Sequence, residues 1–183
     1  MTLRTRAGGL DESWCTRLAL DPAAPALHCG PAVFSRADFE AEIRSQQAAL
    51  DAAGIGSGDI VAWLGINTPQ MLAALLACER LGAVFLPLNW RLAHEELRAI
   101  VVHAGARAVR GSADMNAQIA QLNASLQPDR STEPGDLLLV YTSGTTGRAK
   151  GALHTAAQVR ANAEAAIAVQ GLGGQTRALA VLP

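Results

Sequence analysis

The sequence predicts an α/β protein with a doubly wound, mostly parallel sheet, and three observations carry that expectation. Between Ile60 and Val109 the apolar pattern alternates strand, helix, strand, helix, strand, an order that implies right-handed crossovers and a parallel sheet. Ile60–Ile66 and Ala83–Leu88 are apolar on both faces, as strands covered on both sides must be. A third apolar run, Leu137–Val140, feeds the glycine-rich stretch Tyr141–Gly151, YTSGTTGRAKG, and an alanine-rich stretch from about His154 to Gln170 follows it.

Taken in order, the first dozen residues look frayed, and Trp14–Leu20 reads as a short helix stopped at Asp21-Pro22. Ala26–Cys29 and Ala32–Phe34, joined at Gly30-Pro31, read as a hairpin. Ser35 with Asp38 forms a capping box that opens a helix to about Ala53, with Phe39, Ile43 and Leu50 on one side and Gly54 as its stop. Gly56–Asp59 turns into the Ile60–Ile66 strand. Thr68 and Pro69 are an N-cap and a first-turn proline for a helix through Arg80, closed by Gly82. After Ala83–Leu88, Glu95 and Glu96 mark the positive end of another helix, which turns Leu97, Ile100 and Val101 inward and ends at Gly105. Ala106–Val109 is a short strand. Residues 111–134 read as a surface helix plus linker, and Arg177–Leu182 as one more strand.

Composition narrows the function classes. The chain has 183 residues, 50% hydrophobic and 17% charged, with a formal net charge of −1. That balance gives no electrostatic case for nucleic acid. With 4% aromatic residues, stacking platforms for single strands are not evident either. The N-terminus has no apolar core of a secretory signal, and no run reaches the ~18 apolar residues of a membrane span. Cys15, Cys29 and Cys78 are odd in number and in no metal-ligand spacing, so a reduced, cytoplasmic setting is expected. Cys78, inside an apolar helix pattern, reads as a small core residue.

The chemistry concentrates in YTSGTTGRAKG. Glycines let backbone N–H groups turn toward phosphate oxygens without a Cβ in the way. Thr142, Ser143, Thr145 and Thr146 add hydroxyls, and Lys150 adds a mobile cation. A strand feeding such a loop at the opening of a helix is an anion cradle. A turn rich in glycine and threonine is by itself often a surface loop, but the lysine and the flanking pattern favour the cradle. It is not the Walker loop, because Arg148 and Ala149 separate Gly147 from Lys150 and no Ser or Thr follows the lysine. A dinucleotide-binding oxidoreductase is excluded by Asn67-Thr68-Pro69 after the first parallel strand, where G-x-G-x-x-G is required. Arg148 and His154 read as solvated or helix-start residues, Trp63 and Trp90 as packing residues, and His28, His94 and His103 as scattered, without a carboxylate or cysteine partner in motif spacing.

YTSGTTGRAKG resembles the phosphate-loop signature of the adenylate-forming (AMP-binding) enzymes: acyl-CoA synthetases, peptide-synthetase adenylation domains and luciferases. Asp59–Val109 looks like the first Rossmann-like half of a bacterial acyl-CoA synthetase, with PLNWRL similar to a segment of the fatty-acyl and aryl-acyl branches. The signature carries proline where this chain has Ala149, which removes a fixed φ before Lys150. The resemblance implies that Thr142, Ser143, Gly144, Thr145, Thr146, Gly147 and Lys150 hold ATP phosphates, with Lys150 catalytic through neutralising the departing pyrophosphate. It implies Mg2+, with no metal ligand identified, and coenzyme A as co-substrate of an acid–thiol ligase acting on a carboxylic acid. It also implies an N-terminal portion of such an enzyme over 1–183: a first subdomain at 11–110, a linker at 111–134 and a phosphate-loop unit at 135–183. The adenine pocket, the hinge and the C-terminal lysine domain are expected beyond it, so an inactive, truncated chain is expected. The alternative is a non-catalytic nucleotide-binding or interaction module that keeps only the α/β scaffold.

Overall fold

The computed structural model describes residues 9–128, 132–142, 150–173 and 176–178. Helix α1, Leu10–Leu20, starts four residues earlier than its pattern suggested. The reason is a distant carboxylate: Glu79 accepts from the backbone N–H of Leu10 at 2.8 Å and of Asp11 at 2.9 Å. A negative group there satisfies two orphan donors and complements the positive end of the helix.

Strands β1, Pro25–Cys29, and β2, Ala32–Ser35, form the expected antiparallel hairpin. Helix α2, Arg36–Ala52, opens with the predicted capping box: Ser35 Oγ accepts from the Asp38 N–H, and the Asp38 carboxylate accepts from the Ser35 N–H at 3.0 Å. The Ser35 hydroxyl also donates to the Asp38 carboxylate at 2.6 Å, and that bond, followed by the one from the Ser35 N–H, holds the carboxyl below its usual range. Phe39, Ile43 and Leu50 are buried on one stripe, as the pattern requires.

The five-stranded sheet adds β3 (Ile60–Leu64), β4 (Val84–Leu88), β5 (Ala108–Gly111), β6 (Asp136–Thr142) and β7 (Lys150–Thr155), in the order β5-β3-β4-β6-β7. The pairs β3–β4, β3–β5 and β4–β6 are parallel; β6–β7 is antiparallel. Between these strands run α3 (Pro69–Leu81), α4 (His94–Ala104), a short 3-10 turn (Ala113–Met115), α5 (Asn116–Ala124) and, last, α6 (Ala156–Gln170). Gly82 and Gly105 end α3 and α4 in the left-handed region, at φ +71° and +69°. Only glycine takes that conformation without strain.

Both sheet faces are covered, because side chains alternate along each strand. Ile60, Ala62 and Leu64 with Val84, Leu86 and Leu88 pack under α4 and α5. Val61, Trp63 and Phe85 pack under α2 and α3 with Leu50, Ala77 and Cys78. Residues 111–134 are more than a surface helix and linker. Leu122 of α5 is fully buried, and the Asn123 amide accepts from the Val109 N–H at 2.8 Å and donates to the Val109 carbonyl at 2.9 Å. The edge strand β5 is thereby closed by a side chain that imitates a neighbouring strand. Strand β3 stops at Leu64, and Ile66 beyond it is half exposed; Gly65 between them runs against Ser112, where a Cβ would collide with Ser112 Oγ. The strand expected at Arg177–Leu182 falls largely outside the described residues.

Cysteine burial gives a direct check on this packing. Cys78 is fully buried and its thiol is pushed up to about 12 by desolvation. Cys15 is half-buried and raised first by desolvation and then by the Asp11 carboxylate, while Cys29 is exposed. Because the thiolate is the reactive species, a disulfide reagent should modify Cys29 first in the native chain and Cys78 only on unfolding. Native-state modification of Cys78 at the rate of Cys29 would contradict the packing.

Candidate functional site

The glycine-rich stretch does not open a helix. Strand β6 runs to Thr142, and the chain returns from Lys150 as β7, antiparallel, pairing Thr142 with Lys150, Tyr141 with Gly151 and Leu138 with His154. The expected strand–loop–helix unit is therefore a β-hairpin followed by a helix. The signal for the true helix start is present in the sequence: Thr155 Oγ1 accepts from the Gln158 N–H at 3.2 Å and Gln158 Oε1 accepts from the Thr155 N–H at 2.9 Å. This capping box sits five residues after Lys150, at the other end of β7. The α6 N-terminus thus lies at the opposite end of the strand, about 17 Å away at ~3.3 Å per residue. Its dipole therefore does not reach Thr142 and Lys150, and the helix start adds nothing to anion binding there. His154, expected near a helix start, is inside β7.

Of the sequence-predicted site residues, Thr142 and Lys150 are described; both are exposed and they are cross-strand neighbours. Ser143, Gly144, Thr145, Thr146 and Gly147 lie outside the described residues, as do Arg148 and Ala149. Directly opposed residues of an antiparallel pair have side chains about 5 Å apart on one face, so a hydroxyl and an ammonium flank the loop together. Because β6 is parallel to β4, this end of the hairpin stands on the carboxyl-terminal rim of the sheet.

The same rim carries a crevice of about 280 Å³ at the ends of β3 and β4, lined by Trp63, Gly65, Asn67, Met71, Pro87–Leu88, Asn89, Trp90 and Arg91. The chain leaves β4 by α4 and crosses β3 to reach β5, so this is the point where strand order reverses, the usual place for a ligand in such sheets. The Arg91 guanidinium lies 4.8 Å from the Trp90 ring centroid, and Trp63 Nε1 is a buried donor with no hydrogen-bond partner among the described residues. Packing alone, the role expected for these tryptophans, leaves that donor unexplained.

Two residues next to the loop were not singled out by sequence. Tyr141 packs its ring on Gly151, where an added Cβ would come within 3.1 Å of Tyr141 Cε2. Its hydroxyl is hydrogen bonded to His103 Nδ1, in the last turn of α4, at 2.6 Å, with the rings edge to face at 5.8 Å. The two residues are 38 apart in sequence, so no local spacing could pair them.

A third cluster is structural. Arg80 on α3 donates bidentately to Glu40 at 2.9 and 3.1 Å and to Asp11 at 2.7 Å. These side chains are 3%, 6% and 5% exposed. Trp14 Nε1 and Arg44 also donate to Glu40, at 3.0 and 2.7 Å. The network ties α1, α2 and α3 together, away from the rim. Among the described residues no group of three or more His, Cys, Asp or Glu could hold a metal ion, so the implied Mg2+ finds no fitting donor set there. No helix among the described residues is long and apolar enough to cross a membrane.

A mostly parallel sheet with its loop and crevice on one rim defines the class: an α/β protein arranged to hold ligands along the carboxyl ends of its strands. The comparisons give the family. The AMP-binding enzyme family matches residues 16–183, and the chain belongs to it. It is 33% identical to indoleacetate–CoA ligase of Aromatoleum aromaticum, over 94% of this chain and 40% of that protein. It is 34% identical to feruloyl-CoA synthase of an Amycolatopsis species, over 93% and 38%. The fold matches the N-terminal domain of FACL13 from Mycobacterium tuberculosis with a TM-score of 0.68 at 26% identity, covering 81% of this chain and 44% of that one. It matches o-succinylbenzoate coenzyme A synthetase from Bacillus subtilis, solved with AMP, with a TM-score of 0.78 over 93% and 49%. At 24% identity, that likeness speaks to the fold alone. The chain thus spans about two fifths of the length of these curated relatives.

Proposed function

We propose that this chain is the phosphate-gripping portion of an enzyme that activates a carboxylic acid, aryl or fatty, with ATP and passes it to coenzyme A. In the first step a carboxylate oxygen attacks the α-phosphorus; the bond to the departing pyrophosphate breaks and an acyl-adenylate forms. In the second, a thiol sulfur attacks the acyl carbon, AMP leaves, and the thiol proton is released. Most of the first barrier is charge on phosphoryl oxygens, so positioned donors and a cation are what the protein supplies.

The observation that carries this reading is the cross-strand pairing of Thr142 with Lys150, which brings both ends of the hydroxyl- and glycine-rich segment to the ligand rim. Lys150 then meets the charge of the leaving pyrophosphate, while Thr142 and the residues from Ser143 to Gly147 supply donors to the β- and γ-phosphates. The neighbouring crevice, with an indole and a guanidinium side by side, suits a planar anionic group such as the nucleotide portion of the second substrate. The relatives' names support the acid–thiol ligase class, and the unpaired cysteines support a reducing, cytoplasmic setting. Donors to Mg2+ are not found among the described residues, and no step here runs through a metal.

Titration of the 183-residue chain with tripolyphosphate and with adenosine, separately, tests the assignment. Tripolyphosphate should bind measurably and more tightly than adenosine, because Thr142 and Lys150 offer a hydroxyl and a cation to phosphate oxygens. Adenosine binding without tripolyphosphate binding would overturn it. The purified chain alone should form no acyl-CoA.

A further inference from the structure

We propose that His103 and Tyr141 are positioning residues for the phosphate loop, a pair that fixes the hairpin end carrying Thr142 and Lys150 against helix α4. The proposal rests on the phosphate-gripping reading above and names the device that aims its loop.

Three contacts converge on Tyr141. Its ring covers Gly151, its cross-strand partner, closely enough that any side chain at 151 would push it aside. Its hydroxyl is held by His103 Nδ1 at 2.6 Å; in the tautomer with the proton on Nε2, Nδ1 accepts from the phenol. The ring also packs against the core cluster to which α4 contributes Leu97, Ile100 and Val101. Tyr141 is thus fixed at its tip by α4 and along its ring by β7. Thr142 and Lys150 are the next residues along the two strands, so the pair sets where the loop leaves and re-enters the sheet.

The rest of the hairpin gives little competing restraint. Every residue of β7 from Lys150 to Leu153 is exposed, and no residue of α6 is buried. The hairpin joins the sheet through β4 and β6 in the register Phe85 to Leu138, below the level of Tyr141. The His103–Tyr141 bond therefore ties the loop-bearing end to the helix layer, and losing it frees that end while Leu137–Leu139 keep the base in place.

The test measures tripolyphosphate affinity of the chain and amide exchange at Thr142, Gly151 and Ala152. Four variants are used: His103→Ala, Tyr141→Phe, the double variant, and His103→Asn, whose amide places a polar atom where Nδ1 stands. Each of the first two should weaken tripolyphosphate about fivefold, the scale of one side-chain hydrogen bond, and speed exchange at Gly151. The double variant should be no worse than either single change, and His103→Asn should recover most of the loss. Additive losses, a lowered melting temperature with unchanged affinity, or no recovery by asparagine would overturn the proposal. If the unsubstituted chain binds no tripolyphosphate, the phosphate reading itself fails. Binding that no variant alters defeats the pair alone.

Discussion

Arg80→Ala is expected to lower the stability of this chain by about 3–5 kcal/mol, the cost of stripping one member from a buried ion pair. The physical reason is asymmetric. Asp11 and Glu40 are 5% and 6% exposed at the side chain, so removing the guanidinium leaves two carboxylates out of water with their main donor gone. Desolvation disfavours the charged guanidinium, yet the hydrogen bonds to Glu40 and Asp11 outweigh it and hold its proton more tightly than usual. Urea denaturation measures the loss, and a change below about 1 kcal/mol, the scale of an exposed pair, would show the network to be ornamental. The combination Arg80→Met, Asp11→Leu, Glu40→Leu should fall much closer to the parent, because no charge is then stranded.

The same network sets a pH dependence. Burial raises the Glu40 carboxyl, but hydrogen bonds from Arg80, Arg44 and Trp14 outweigh it, and the net direction is downward from the ordinary 4.5. A carboxyl that is more acidic when folded stabilises the fold above its unfolded value, and that contribution is lost as pH falls through the folded one. The gap between parent and Arg80→Ala should therefore narrow as pH falls below about 4.5.

Lys150→Ala, made in a family-length enzyme carrying this signature, should slow acyl-adenylate formation by about 10²-fold, the scale of losing one charged contact to a developing anion. Lys150 is exposed and beside Thr142, so its removal costs little packing, and the melting temperature should barely move. That separation of rate from stability is the informative part. Pyrophosphate release at the parent rate would remove Lys150 from the chemistry. Equal loss of rate and stability would make it a scaffold residue instead.

Where local chemistry decides, the sequence was readable. Thr68 and Pro69 start α3 and Gly82 stops it because capping and left-handed φ are written in single residues. Ser35 and Asp38 do the same for α2. Strand β7 is not legible locally, because Lys-Gly-Ala-Leu-His-Thr carries no strand signal of its own; its conformation comes from the ladder offered by β6, a tertiary effect. The Thr155–Gln158 capping box marks the helix start more sharply than the alanine-rich composition around it. The site divides in the same way. Thr142 and Lys150 were legible as chemistry, whereas His103, Asn123 and Arg80 act through partners 38, 14 and 69 residues away, distances at which periodicity says nothing.

Antiparallel return at the loop also makes orientation a matter of parity. Lys150 projects on the face opposite Tyr141 only while the β7 ladder keeps Thr142 and Lys150 opposed. Deleting one residue between Gly151 and Thr155 would slide the strand by one step and could turn the ammonium to the other side of the sheet. Length variation in the arm from Gly151 to Thr155 should therefore be penalised, because it breaks that opposition.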